Sequence, residues 1–333
     1  MTSGTVTRRA RFPYSFDHAG SPYPTPAPGA ALRIAFVGQS TYFRATSLDE
    51  QSDRVRTTYV EFREGRNADD LMAALRDHDP HVVIVFRPEL IPPGLFHKQR
   101  FAALGFLTEP LPRLAGVRHP DLDRRLYELR AIDQSNFDRV VAFDPLFVET
   151  AEEIMPVWRS LPLPVADRYY RDVRPITGRP RVCFVGRSTQ HRESFLLPIK
   201  HEFDILHLAF GVDADRLEDV LDEHDVTINL HNEPYESFEN RVCIHLAAGH
   251  LVISEVLNPR HGLEPGIDYL EVASPEDLLD LMLALHRWPG SYDRVRVRGR
   301  MKAEQYRASE VYPRLVNDLY LDLARFGTDR PGA

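Results

Sequence analysis

The chain has 333 residues, 43% hydrophobic and 27% charged, which is the composition of a globular protein with apolar material for two domains. A net charge of −8 gives no support for coating nucleic acid, and no apolar run approaches the roughly 20 residues of a membrane span. Nothing at the N-terminus resembles a secretory signal, so a cytoplasmic location is expected. The two cysteines, Cys183 and Cys243, each lie in an apolar run. They offer neither a disulfide framework nor metal-ligand spacing and read as buried thiols, so no metal is expected.

Residues 1–30 carry Pro13, Pro22, Pro24, Pro26 and Pro28 among Ser, Gly and Ala, and read as a flexible leader outside the fold. From Arg33 strand and helix patterns alternate. "RIAFVG" is a short apolar strand and "TTYVEFR" alternates with period two. Asn67 caps a helix in which Leu71 and Leu75 share a face. "HVVIVF" is a β-branched run of the kind buried on both faces, and "LGFLT" and "DRVVAF" resemble it. Leu122, Leu126 and Leu129 have helical spacing, and Pro145 opens a further helix.

Pro162, Pro164, Pro175 and Pro180 then interrupt the pattern, and 161–180 is taken as the interdomain linker. The cycle restarts with the strands "RVCFVG", "FDILHL", "VTINL" and "LVIS". Helices are expected near 191–200, 213–223, 240–248 and 275–285, with further helices over 291–326. The restart is also a repeat. "RIAFVGQSTYFR" (Arg33 to Arg44) returns as "RVCFVGRSTQHR" (Arg181 to Arg192), with seven of twelve positions identical. Alternating strands and helices in each half predict an α/β protein of two Rossmann-like domains facing across a cleft. The boundaries expected are 31–165 and 166–290, with the C-terminal helices of 291–333 packing back across the cleft.

Ligands of open parallel sheets sit beyond the carboxyl ends of the strands. That selects Gly38, Gln39 and Ser40 after the first strand, Glu89 and Glu109 after later strands of the same half, and the loops following Val185 and Leu230. Gly38 and Gly186 each stand alone, so the G-x-G-x-x-G fingerprint of dinucleotide enzymes is missing, as is a P-loop lysine. The second loop still suits phosphate. Gly186 lets the backbone approach, Ser188 and Thr189 supply hydroxyls, the next helix offers its N-terminus, and Arg187 and Arg192 offer guanidinium groups. The competing view leaves these arginines solvated or paired with Glu193. His231 directly ends a core strand, where it would either touch a donor or serve as polar packing.

The run "HNEPYESFENRVCIHLAAGHLVIS", His231 to Ser254, followed by "GLEPGIDYLEVASPEDLLDLM", resembles the donor-binding half of nucleotide-sugar glycosyltransferases of GT-B fold. The likeness is greatest to the group-1 and spore-maturation (CgeB-like) types. It covers about 181–285, and the N-terminal half matches only in architecture and short pieces. What it implies is transfer of a sugar from a nucleoside-diphosphate sugar, without a cofactor or metal, to a glycan or lipid-linked acceptor held by the N-terminal domain. Glu236 stands where the family's sugar-contacting Glu lies, and Asn232, Asn240 and Arg241 join the donor side. The family's ribose-binding Glu is Ile244 here. Asn240, one turn earlier, is the substitute, or else simply a helix cap.

An inverting reaction would need a base at the acceptor, for which Glu109 and Glu89 are placed. "DLD" (Asp121–Asp123) and "DAD" (Asp213–Asp215) match the metal string of the other glycosyltransferase fold, but both stand where helices begin. Two arginine-rich stretches, "RLAGVRHPDLDRRLYELR" and "DRVRVRGRMKAEQYR", are either solvated helix faces or a patch for an anionic lipid or the inner membrane face. Two other functions stay open. One is a GT-B relative without catalysis, serving as scaffold or nucleotide sensor. The other is an epimerase of the same architecture using Glu109, His231 and Glu236.

Overall fold

The computed structural model describes residues 20–109, 122–209, 212 and 214–332. These divide into two units: 20–167 with 307–332, and 168–306. The first unit is built on strands β1 (Leu32–Gly38), β2 (Val55–Glu61), β3 (Val82–Phe86), β4 (Ala102–Leu107), β5 (Arg139–Ala142) and β6 (Arg159–Ser160). They form one parallel sheet in the order β2-β1-β3-β4-β5-β6. The second unit holds β7 (Val182–Val185), β8 (Ile205–Leu208), β9 (Val226–Asn229), β10 (Leu251–Ser254) and β11 (Leu270–Glu271), in the order β11-β10-β9-β7-β8. All of its pairings are parallel. Counted from its own first strand, the first sheet runs 2-1-3-4-5-6 and the second 2-1-3-4-5. The direction of winding therefore reverses between the first and third strands, where an open α/β sheet leaves a crevice.

The elements follow from local chemistry. Every residue of β3 is buried, as its unbroken β-branched run requires. The Asn67 side chain accepts from Asp69 N and caps the helix Ala68–His78, whose Leu71 and Leu75 pack on Ala35, Val37, Val83 and Val85. In the second unit Phe184, Val226, Ile228, Leu251 and Ile253 form the core with Leu196 and Ile199 from the helix Gln190–Lys200. The repeat acts alike in both units at its first position. Arg33 pairs with Asp79 at 2.7 Å and Arg181 with Asp225 at 3.3 Å, each tying the start of the first strand to the approach of the third.

Two expectations are corrected. The proline-rich leader is not wholly outside the fold. Tyr23 is only 4% exposed, its hydroxyl donates to Asp138 at 2.5 Å and it accepts from Arg330 Nε at 2.9 Å. Residues 1–19 lie outside the described residues. The chain changes unit within the segment 161–180, between Asp167 and Arg168, and Leu163, Val165, Ala166, Tyr169 and Tyr170 of that segment are buried. Asp167 and Arg307, at the two points where the chain changes unit, pair at 3.0 Å.

The second arginine-rich stretch is largely neither solvated nor a patch. Arg296 donates to the carbonyls of Gly249 and Arg174, Arg300 to that of Arg171, and Arg307 is buried on Asp167. Of the arginines of the helix Asp293–Lys302, only Arg294 and Arg298 are exposed. Residues 113–121 of the first stretch lie outside the described residues. The last helix, Ala308–Phe326, belongs to the first unit. There Tyr312 packs edge-on to Phe36 at 4.8 Å, and Asp318 and Asp322 pair with Arg159 and Arg139. Among the described residues no helix is long and apolar enough to cross a membrane.

Candidate functional site

The two crevices are filled by opposite chemistry. In the first unit, a Cβ at Gly38 would stand 3.1 Å from Phe86 and 3.2 Å from the Tyr59 hydroxyl, so aromatic packing closes the place. Phe43 stacks on Phe86 at 5.2 Å. Gln39 precedes a four-residue helix, Ser40–Phe43, and the Ser40 N–H already donates to Glu61 at 2.7 Å. Arg44, the last residue of the repeat, is half-exposed and 4.0 Å from Asp49.

In the second unit its counterpart, Arg192, is 3% exposed. Thr189 caps the helix Gln190–Lys200 by accepting from Arg192 N, and its hydroxyl donates to Asn232 O at 2.8 Å, joining the loops after β7 and β9. Arg192 Nε donates to Leu230 O and His231 O, each at 3.1 Å, and Nη1 to Arg187 O at 3.0 Å. Arg241, first residue of the helix Arg241–Ala247, enters from the other side and donates to Val185 O. Its Nη2 lies 3.2 Å from Glu239, and the same carboxylate is 3.9 Å from Arg192 Nη2. Among the described residues Arg241 Nε is buried without a hydrogen-bond partner. Two guanidinium groups thus meet one carboxylate. Burial, with the Arg241 charge next, pushes Arg192 down to about 10, still cationic at neutral pH. Arg192 and Arg241 share Glu239, with Glu255 acting on Arg192 as well, and the unpartnered Arg241 Nε leaves a buried donor that an anion would satisfy. Arg192 is therefore neither solvated nor paired with Glu193, which instead accepts from Ser188 at 2.5 Å and from Lys200 at 3.1 Å.

The remaining residues surround this pair. Arg187 is exposed and donates to Asn232 Oδ1 at 2.9 Å. Lys200 reaches His207 Nδ1, and His207 Nε2 reaches Gly186 O at 2.8 Å, so a chain of contacts fixes the loop. Asn240 makes no side-chain cap, and its Oδ1 is buried without a partner among the described residues. Ile244, one turn on, is buried. Glu236 is exposed on the polar loop and accepts from Asn258 at 3.1 Å.

His231 is a strut. Its Nε2 faces Val256 O at 2.8 Å, a carbonyl that only accepts, so Nδ1 accepts from Ser237 at 3.0 Å. Its backbone N–H donates to Glu255, whose other oxygen meets His191 at 2.8 Å. Glu255 and Glu239, which organise this site, escaped the sequence reading. Neither belongs to a spacing pattern, and both matter only once β9, β10 and the polar loop are adjacent.

Glu89 and Glu109 line one small cavity of the first unit with Thr108, Arg125 and Glu128. Arg87 Nε holds Glu89 at 2.7 Å, and Arg125 is 3.7 Å from Glu109. Burial raises the Glu89 carboxyl above its ordinary range against the pull of Arg87. Of the two Asp-x-Asp strings, Asp121, Asp213 and the Asp215 side chain lie outside the described residues.

No family model and no curated protein sequence matches the chain. Solved structures do. Sucrose-phosphate synthase from Thermosynechococcus elongatus is 13% identical, with a TM-score of 0.55 over 88% of this chain and 99% of that one. HepE of Anabaena, solved with UDP and glucose, is 9% identical, with a TM-score of 0.52 over 88% of this chain and 100% of that one. The chain therefore has the α/β fold with two parallel sheets that GT-B glycosyltransferases share.

Proposed function

We propose that this protein is a GT-B glycosyltransferase that takes a nucleoside-diphosphate sugar, held by the 168–306 unit, and passes the sugar to a glycan or lipid-linked acceptor. The donor-side motifs make the group-1 and spore-maturation types the nearest kin in this proposal. The observation that carries it is the pair Arg192–Arg241 at the switch point between β7 and β9, with a single carboxylate between two cations. A diphosphate leaving group develops negative charge as the glycosidic bond breaks, and fixed guanidinium groups aimed there stabilise it without a metal. Gly186 and Thr189 shape the loop, Asn240 offers its unpaired oxygen to the ribose, and Glu236 faces the sugar. Glu89, with its raised carboxyl, or its neighbour Glu109 would take the acceptor proton.

UDP is the first probe, because it is what the HepE structure holds. Titration calorimetry should show one UDP site, with binding weakened by roughly 10- to 100-fold in Arg241→Gln, about one charge-assisted bond's worth. Glu236→Gln should bind UDP normally and transfer no sugar from UDP-glucose. Equal affinity in Arg241→Gln would remove the diphosphate assignment.

The reading without catalysis has one observation of its own, the buried Ile244 in place of a ribose-binding carboxylate. On that reading UDP binds, yet no UDP is released from UDP-sugars in the presence of any acceptor.

A further inference from the structure

Behind the donor crevice, one helical turn past Arg241, three side chains converge that no motif of the sequence brings together. Cys183 comes from β7, His245 from the helix Arg241–Ala247, and His250 from the turn before β10. All three are buried. The cysteine sulfur and one ring nitrogen from each histidine lie within 4.8 Å of one another, and among the described residues this is the one cluster of that kind.

The hydrogen bonds fix which nitrogens face inward. His250 Nε2 lies 2.9 Å from Leu221 O, which only accepts, so Nε2 carries the hydrogen and Nδ1 keeps its lone pair. That lone pair points at His245 Nδ1, 2.9 Å away, which therefore donates to it. A histidine held through its far N–H by a backbone carbonyl, with its other nitrogen facing a second imidazole in a cluster that also holds a cysteine sulfur, has the outer-shell arrangement of a metal ligand.

We propose that Cys183, His245 and His250 form a buried three-coordinate site for a soft monovalent metal ion, Cu(I). Thiolate and imidazole are ligands that such an ion prefers. Charge decides between Cu(I) and a divalent ion. One thiolate and two neutral imidazoles around Cu(I) leave no net charge, whereas a divalent ion would leave one positive charge in an apolar interior. On binding, the Cys183 S–H bond breaks, its proton goes to solvent and the sulfur–metal bond forms. The hydrogen of His245 moves from Nδ1 to Nε2, freeing the Nδ1 lone pair. Nothing is oxidised or reduced. The role is structural, joining β7 to the helix that presents Arg241, and it is independent of the glycosyltransferase reading.

The test uses the full-length chain and Cu(I) itself, under anaerobic conditions against a competing Cu(I) chelator. Loading is done both by incubating the folded protein and by refolding it with the ion present. The expected result is one equivalent of bound metal, a thiolate-to-metal charge-transfer band and a raised melting temperature. The band should be lost in Cys183→Ser, weakened at least tenfold in affinity in His250→Gln, and retained in Cys243→Ser, whose thiol is also buried but belongs to no such cluster. No band in the wild-type chain under either loading overturns the proposal, whatever the variants do. So does a band that survives Cys183→Ser, or one equivalent of zinc held in preference to Cu(I).

Discussion

Arg192 and Arg241 reach for the same point. A Cβ on Gly186 would stand 2.6 Å from Arg241 Nη1 and 3.2 Å from Arg192 Nη1. The glycine at the end of β7 is thus the space in which two guanidinium groups meet, a different task from that of Gly38 in the sister repeat.

Gly186→Ala follows directly from that geometry. The methyl group must displace Arg241, whose end is flexible, while Arg192 stays pinned by three carbonyls. UDP affinity should fall by roughly 10- to 100-fold, the loss of one charge-assisted contact. The melting temperature should drop by only a few degrees. Calorimetry and thermal unfolding on the same preparation check both. Undiminished affinity would place the ligand elsewhere.

Arg192 and Arg241 should separate stability from binding. Arg192→Met leaves the buried carbonyls of Leu230 and His231, and the part-buried one of Arg187, without their donor, at about 1–3 kcal/mol for each buried group. We expect a loss of about 3 kcal/mol or more in urea unfolding. Arg241→Gln leaves Glu239 to Arg192 and releases only one carbonyl, so its stability should stay within about 1–3 kcal/mol of wild type. The larger effect of Arg241→Gln should be on UDP. Equal unfolding losses in the two variants would contradict the assignment.

Much of the fold was legible because it depends on local patterns. The run Val82–Phe86 declares a doubly covered strand, and Asn67 stands as a cap where its helix begins. The two-residue strands β6 and β11 were not legible, being defined by what they lie beside. Tyr23 was misjudged because prolines set backbone shape but say nothing of burial against Asp138 and Arg330. The crevice was half legible. Gly186, Thr189 and Arg192 belong to one contiguous motif, but Arg192's carbonyl partners come from the loop after β9, and only the strand order brings that loop alongside. Cys183 and His245 were out of reach for the same reason, since their meeting depends on which helix covers β7.

Asp144 carries a stability cost that pH reveals. It is 2% exposed, caps the helix Pro145–Glu152 through Leu146 N, and burial pushes its carboxyl up to about 6. A folded-state value above the unfolded one means that ionisation opposes folding. The cost is absent below the unfolded value near 4 and complete above about 6. Asparagine keeps the cap without the charge. Asp144→Asn should therefore stabilise the protein at pH 7 by about 1–3 kcal/mol in urea unfolding, with the gain vanishing near pH 3.5. A loss of stability at pH 7 would show that the carboxylate has a partner it needs.

His81 works in the opposite direction. It precedes β3, and its Nδ1 accepts from Arg33 N at 3.0 Å, a bond that only the neutral ring can make. Burial, then the Arg33 charge and more weakly His78, push it down to about 4, with Asp79 opposing. Between pH 4 and 6.5 the unfolded chain binds the proton that the folded chain refuses, so stability rises with pH across that window and is flat above it. The slope contributed by this residue approaches about 1.4 kcal/mol per pH unit in mid-window. His81→Gln, which can still accept from Arg33 but does not titrate, should flatten the stability profile between pH 4.5 and 6 relative to wild type. Urea unfolding at half-unit pH intervals measures this. Parallel profiles for the two proteins would mean that His81 takes up its proton in the folded state as readily as in the unfolded chain, and that Arg33 N finds another acceptor.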